Sequence, residues 1–370
     1  MSLLRRISPS LAGHFVNRAL VFALRHLASL ISACFEESGY CLQVQEGCGA
    51  RYGHLTYSQL NSLSRPAFGE INILVLRFDT MSCPDCYKGF IHDYAQPIGR
   101  ERILHGVRTY VAGTPDQQTS PSTIILITDV FGLKIVNNKL LADFLAAETG
   151  CQVLVPDVIP GGGVPASYLL PMESFAVVAA WWDIMGHLAR IISILRLLPY
   201  ILPAVRGAER AFPDILAFVR AVRLGLPEDA KLGIAGYCWG GRQAAKLALE
   251  PTHDVSSQPL IDANYIAHPS SLKVPGDILE SVWAFNVPLS MTVVDQDFAM
   301  PKEKAIDLQV KMRQEFGTGN GKDEVPYEIV MYDGCRHGFA CRGNRSDPHV
   351  DECANRASMQ AVNWFKRFLP

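Results

Sequence analysis

The chain lacks any marked charge bias: 34 basic and 36 acidic side chains among 370 residues leave a formal net charge of −2. It has no long basic stripe and no acidic tail, which argues against a nucleic-acid partner and against a disordered solvating segment. It also lacks an apolar run of the about 20 residues, nearly free of charge, that a membrane-spanning helix needs. Ala19 to Cys34 is short and holds Arg25 and His26; Leu188 to Val205 holds Arg190 and Arg196 and is interrupted by Pro199 and Pro203. The second stretch is expected to be a partly exposed amphipathic helix that covers a site, and no stable membrane insertion is expected. Ten cysteines in a chain of this length are too sparse for a disulfide-built scaffold, and their scatter fits reduced, buried thiols. Zinc-type spacing is absent too. Cys83 and Cys86 form a C-x-x-C without a second pair at similar spacing; Cys41 with Cys48, and Cys335 with Cys341, are too far apart to supply one. No metal and no cofactor are expected.

The sequence changes character near Met81. Residues 1–80 show no regular alternation of strand and helix patterns, apart from the strand-like "INILVLRF". The first 35 residues carry Arg5, Arg6, Arg18 and Arg25, several serines and no acidic residue before Glu36, the composition of an amphipathic targeting peptide. Two domains are expected: an extension over 1–80, poorly structured or targeting, and a folded domain over 81–370. A cytoplasmic location is expected, or a mitochondrial one if residues 1–35 act as a transit peptide.

From about residue 100 the rhythm becomes regular. "GVRTYVAG", "STIILITD", "CQVLVPD", "KLGIAGY", "IDANYIAH", "PLSMTVVD" and "PYEIVMYD" read as strands, several as continuous apolar runs of the kind buried on both faces. Helices are expected at 137–149, capped by Asn137 or Asn138 and stopped at Gly150, then at about 173–198, 213–224, 241–250, 301–316 and 351–368. Buried strands interleaved with helices imply an α/β fold with a mostly parallel sheet covered on both faces.

In such sheets sites gather at the carboxyl ends of the strands. "KLGIAGY" delivers Cys238 there. Gly236 and Gly240 flank it in a G-x-C-x-G turn, the cysteine form of a nucleophile elbow. The helix that follows points free N–H groups and its positive end at the sulfur, which favours the thiolate. "GYCWGG" has neither dinucleotide-binding spacing nor a Lys-Ser/Thr ending, so it is not a phosphate loop.

A nucleophile needs a base, and the base an orienter. Asp295 and Asp297 end the strand "PLSMTVVD"; Asp297, on the loop beyond, is the better acid. His337 lies in the loop after the last strand, which completes the order nucleophile, acid, histidine. His268, in "AHPSS", precedes the acid and is read as structural or pocket-lining. Backbone N–H groups of Trp239 and Val130 are the candidate oxyanion donors. Asp129, on the same loop as Val130, either caps the loop or tunes Cys238 or contacts substrate. Arg342 is suited to a substrate carboxylate through its planar fork, or is an exposed structural arginine.

Together "MSCPDC", "GVRTYVAG", "ITDVFGL", "VLVPDVIPG", "GYCWGGR", "DQDFAMP" and "RHGFACRG" resemble the dienelactone hydrolase family, a cysteine branch of the α/β-hydrolases, over about residues 81–370. Fungal members are the most similar. The resemblance implies a triad of Cys238, Asp297 and His337 that hydrolyses lactone or ester bonds of a small molecule through a covalent acyl-enzyme, in a monomer or homodimer. Bacterial members carry Glu where this chain has Asp129, a residue thought to help deprotonate the cysteine. Two other readings stay open at this point: an enzyme of secondary metabolism with the same fold and another reaction, and a non-catalytic binding protein.

Overall fold

The computed structural model describes residue 92 and residues 95–113, 118–168, 184–297 and 299–370. The extension at 1–80, "INILVLRF", "MSCPDC", Trp181, Trp182 and the expected start of the long helix lie outside the described residues.

Eight strands form one sheet: β1 (Arg100–Leu104), β2 (Val107–Ala112), β3 (Thr123–Ile127), β4 (Gln152–Pro156), β5 (Leu232–Tyr237), β6 (Ala263–Ala267), β7 (Leu289–Gln296) and β8 (Tyr327–Arg336). Their order across the sheet is β1-β2-β4-β3-β5-β6-β7-β8. β2 pairs antiparallel with β1 and β4, and all later neighbours are parallel. This is the α/β-hydrolase arrangement that the sequence implies.

Every residue of β3, β5 and β6 is buried, which is why they read as continuous apolar runs instead of alternating ones. Alternate side chains nevertheless serve opposite layers. Ile125, Ile127, Leu232 and Ile234 join one core with Phe218, Leu247 and Met312. Ile124, Leu126, Ala235 and Tyr237 join the other with Leu145, Val362 and Phe365. Each fully buried aliphatic side chain of this kind contributes about 1.5–3 kcal/mol. The first core is covered by α2 (Ile184–Arg206), α3 (Ala208–Gly225), α4 (Trp239–Leu247), α5 (Gly276–Trp283) and α6 (Lys302–Phe316). The second is covered by α1 (Val136–Thr149), the short α7 (Phe339–Arg342) and α8 (Pro348–Phe368).

Several boundaries differ from the sequence expectation. α1 starts after Ile135, so Asn137 and Asn138 are not its caps; both are buried inside its first turn and bond elsewhere. Its end at Gly150 is as expected, with a left-handed φ of 71°. α4 starts at Trp239, directly after Cys238, and not at Gly241. α2 runs through Pro199 and Pro203 instead of stopping at them. Each proline removes one backbone donor but keeps a helical φ, and Leu197 and Ala204 hold the helix against the core. The rest of α2 is largely exposed and corrects the expectation that no run is long and apolar enough to span a membrane: by length and composition Met185–Ala204 is, with 6 % of its most apolar stretch buried. β1 and α5 were not foreseen from sequence.

Candidate active site

Four parallel strands, β5 to β8, bring their carboxyl ends to one edge of the sheet. Cys238 sits at the first of these ends, with φ 53° and ψ −111°. A residue with a side chain is strained by about 1–2 kcal/mol in this region. Neighbouring backbone holds it there: the Cys238 N–H donates to the Ala267 carbonyl (3.1 Å), and the Ser270 N–H donates to the Cys238 carbonyl (3.0 Å). The flanking glycines are a steric requirement. A Cβ on Gly240 would lie 2.0 Å from the Ile127 oxygen, and one on Gly236 would lie 2.5 Å from the Gly240 oxygen. Cys238 is buried and is the N-cap of α4, so its sulfur lies at the positive end of a nine-residue helix.

Asp297 follows the last residue of β7, while Asp295 remains within that strand. β8 runs three residues beyond "PYEIVMYD", and His337 follows it immediately. The His337 Nδ1 lies 2.9 and 2.8 Å from the two oxygens of Asp297, and both side chains are buried. The Asp297 Oδ1 also accepts from the Ala299 and Met300 N–H groups, at 2.8 and 3.3 Å. The carboxylate is thus fixed before it orients the ring. With Nδ1–H donated to Asp297, a neutral imidazole presents its lone pair at Nε2.

His268 lies beside this pair, its ring edge-on to that of His337 with centroids 5.0 Å apart. Burial, followed by the neighbouring charges of His337 and Arg342, holds its pKa well below the ordinary imidazole value. It is therefore a neutral wall of the site. Ser270, which sequence reasoning passed over, places its Oγ 3.8 Å from the Cys238 Sγ. Its position two residues after His268 in "AHPSS" was the available signal.

Asp129 and Arg342 form one unit in the interior. The Arg342 Nε donates to the Asp129 Oδ2 at 2.6 Å, and both side chains are fully buried. The exposed structural arginine considered from sequence is excluded. The Asp129 Oδ1 accepts from the Phe131 N–H (3.2 Å) and the Asn138 Nδ2 (3.1 Å). Arg342 stacks on the Phe131 ring, 5.0 Å from its centroid. It also packs on Gly338, where a Cβ would lie 2.5 Å from its Nη2. Cys341, likewise missed, has its Sγ 3.6 Å from the Asp129 Oδ2 and 4.0 Å from the His268 Nε2. Burial first, and the Asp129 charge second, push its thiol well above the ordinary range.

The remaining candidates frame the elbow. Val130 follows Asp129 on the loop after β3, and its carbonyl accepts from the Val164 N–H at 2.9 Å. The Gly240 N–H donates to the Thr128 carbonyl at 3.1 Å, which ties that loop to the start of α4. The Trp239 indole Nε1 donates to the Ala204 carbonyl of α2 at 3.0 Å, so the carboxyl-terminal part of α2 touches the residue after Cys238. A separate cavity of about 410 Å³ is lined by α1 and α8 residues including Asn137 and Ser358; of the residues above, only Cys341 lines it.

A sequence model described as the dienelactone hydrolase family matches residues 107–369. The hydrolase pyvD of Aspergillus violaceofuscus is 28% identical over 284 residues, covering 77% of this chain and 96% of that protein. The human carboxymethylenebutenolidase homolog is 23% identical over 295 residues, covering 78% and 97%. Among solved structures, a dienelactone hydrolase-like promiscuous phosphotriesterase from metagenomic libraries is 16% identical, with a TM-score of 0.44 over 74% of this chain and 98% of that one. The match to the family model spans most of the described residues, and the chain belongs to the dienelactone hydrolase family, enzymes that hydrolyse ester and lactone bonds.

Proposed function

We propose that this chain is a cysteine-dependent hydrolase of lactone or ester bonds, working through Cys238, His337 and Asp297. The observation that carries the reading is the strained elbow at Cys238, on the same sheet edge as a His337–Asp297 pair already bonded at 2.8 Å. Backbone strain of this kind persists only where surrounding structure enforces it.

The His337 Nε2 takes the Cys238 thiol proton, the thiolate attacks the carbonyl carbon, a sulfur–carbon bond forms, and the carbonyl electrons move onto oxygen. The N–H groups of Val130 and Trp239 stabilise that oxyanion. Its collapse breaks the carbon–oxygen bond, and His337 protonates the departing alkoxide or enolate. Water then attacks the thioester, giving a proton to His337; collapse releases a carboxylic acid and the Cys238 thiolate, and the His337 proton returns to the sulfur. Asp297 keeps the ring in the required tautomer and stabilises the imidazolium.

Asp129 and Arg342 belong to this reading as tuning residues. A bare carboxylate near the sulfur would oppose thiolate formation. The 2.6 Å pair with Arg342 offsets that charge in the resting chain. The relatives named carboxymethylenebutenolidase homolog support an enol-lactone among the substrates.

A chromogenic ester and a panel of enol-lactones test the proposal. Turnover by the wild type, lost on thiol alkylation and in Cys238→Ala, is the expected result. Turnover that is insensitive to both refutes the cysteine mechanism.

A further inference from the structure

Three side chains able to ligate a metal meet where the end of β8 faces the start of α8. Cys335 lies at the end of β8; His349 and Cys353 lie four residues apart in the first turns of α8, and so on one face of that helix. One potential ligand atom from each falls within 4.8 Å of the others. The Cys353 Sγ is 3.8 Å from the His349 Nε2. Tetrahedral zinc, with bonds of about 2.3 Å to sulfur and 2.0 Å to nitrogen, needs ligand separations of about 3.5–3.8 Å. The Cys353–His349 pair is thus already at a zinc-like separation, and the other pairs lie within 4.8 Å. Local backbone makes room for it: Gly334 has a φ of 73°, and a Cβ there would come within 2.9 Å of the His349 Nε2. The two cysteines are buried and unoxidised, while His349 is exposed, which gives a cation a route in from solvent.

The surroundings favour a cation. The carboxylates of Asp295 and Asp347 are near enough to the Cys335 sulfur to act on it electrostatically. The Asp295 Oδ1 is buried and has no hydrogen-bond partner among the described residues.

We propose that Cys335, His349 and Cys353 form a binding site for a thiophilic divalent cation of the zinc type, separate from the catalytic residues. In the metal-free chain the His349 Nε2–H donates to the Asp333 carbonyl at 2.8 Å. Ligation moves that proton to Nδ1, and the two thiols release theirs, so one bound dication displaces two protons to solvent. The fourth position falls to water. An occupied site ties the end of β8 to α8 two residues before His337.

The test is a titration of the reduced, full-length protein with Co²⁺, followed by competition with Zn²⁺. One equivalent of cobalt is expected to raise a thiolate-to-metal charge-transfer band with release of two protons, and zinc then abolishes the band by displacing the cobalt. His349→Ala, at an exposed position that leaves folding intact, should weaken zinc binding by more than the about 10–100-fold typical of losing an outer-shell partner. Cys353→Ser should remove the band. Cys83→Ser with Cys86→Ser, and Cys238→Ala, should leave it unchanged. A band that survives both His349→Ala and Cys353→Ser overturns the assignment. So does a reduced protein that binds neither metal, including one in which mild oxidation joins Cys335 to Cys353 and shows a disulfide switch instead.

Discussion

Cys238 follows β5 and heads the nine-residue α4; Cys341 follows β8 and lies inside the four-residue α7. Both thiols are buried, both stand at the same edge of the sheet, and they are close enough for the Cys238 charge to act on Cys341. Their surroundings differ in kind. Cys238 is held at φ 53° against a helix N-terminus, with a serine hydroxyl 3.8 Å away. Cys341 faces the Asp129 carboxylate at 3.6 Å and stays a neutral thiol. Burial alone therefore does not set the proposed nucleophile apart from Cys341. Backbone direction and the sign of the nearest charge do.

That contrast can be broken at several points. The largest effect is expected from Cys238→Ala, which should lower kcat on any ester turned over by the wild type at least about ten-thousandfold, whereas Cys341→Ala should stay within a few-fold of wild type. Steady-state kinetics on both variants check this, with circular dichroism to confirm folding. Asp297→Asn should follow, with a loss of up to about ten-thousandfold in kcat, because the amide favours the wrong imidazole tautomer.

Next comes the buried Asp129–Arg342 pair. Arg342→Met leaves that carboxylate buried and unpaired, and should destabilise the fold by about 3–5 kcal/mol. Adding Asp129→Asn should restore much of the loss in a denaturant titration. The smallest effect concerns Cys341 itself. Its folded pKa lies above the unfolded value, so the unfolded chain releases a proton above about pH 9 that the native chain keeps. The stability this gives is complete below that pH and declines above it. Cys341→Ala should flatten the alkaline decline of Tm by about one proton.

Much of this site was legible in the sequence, for reasons that differ by residue. β3 and β5 betray themselves because burial on both faces removes every polar residue from the run. Cys238 betrays itself because Gly236 and Gly240 are needed where a Cβ would meet backbone oxygen at 2.5 and 2.0 Å. Asp297 and His337 follow from strand ends in the expected order. Contacts between distant segments were not legible. Arg342 and Asp129 are 213 residues apart, and no local pattern announces their pairing. Asn138 looked like a helix cap because caps are local, yet tertiary contacts with Asp129 and Gly132 take its amide into α1. β1 escaped because its edge position leaves it exposed and charged, and the carboxyl end of α2 was set too early because its prolines signal a break that packing overrides.

The most direct test of the contrast is to label the native protein at neutral pH with one equivalent of iodoacetamide, or to trap it with a slowly hydrolysed activated ester, and to map the modified peptide by mass spectrometry. The account predicts modification of Cys238, loss of activity in proportion to labelling, and no modification of Cys341 until the chain is unfolded. A label carried by Cys341 with Cys238 untouched, or a fully labelled Cys238 with activity intact, would contradict it.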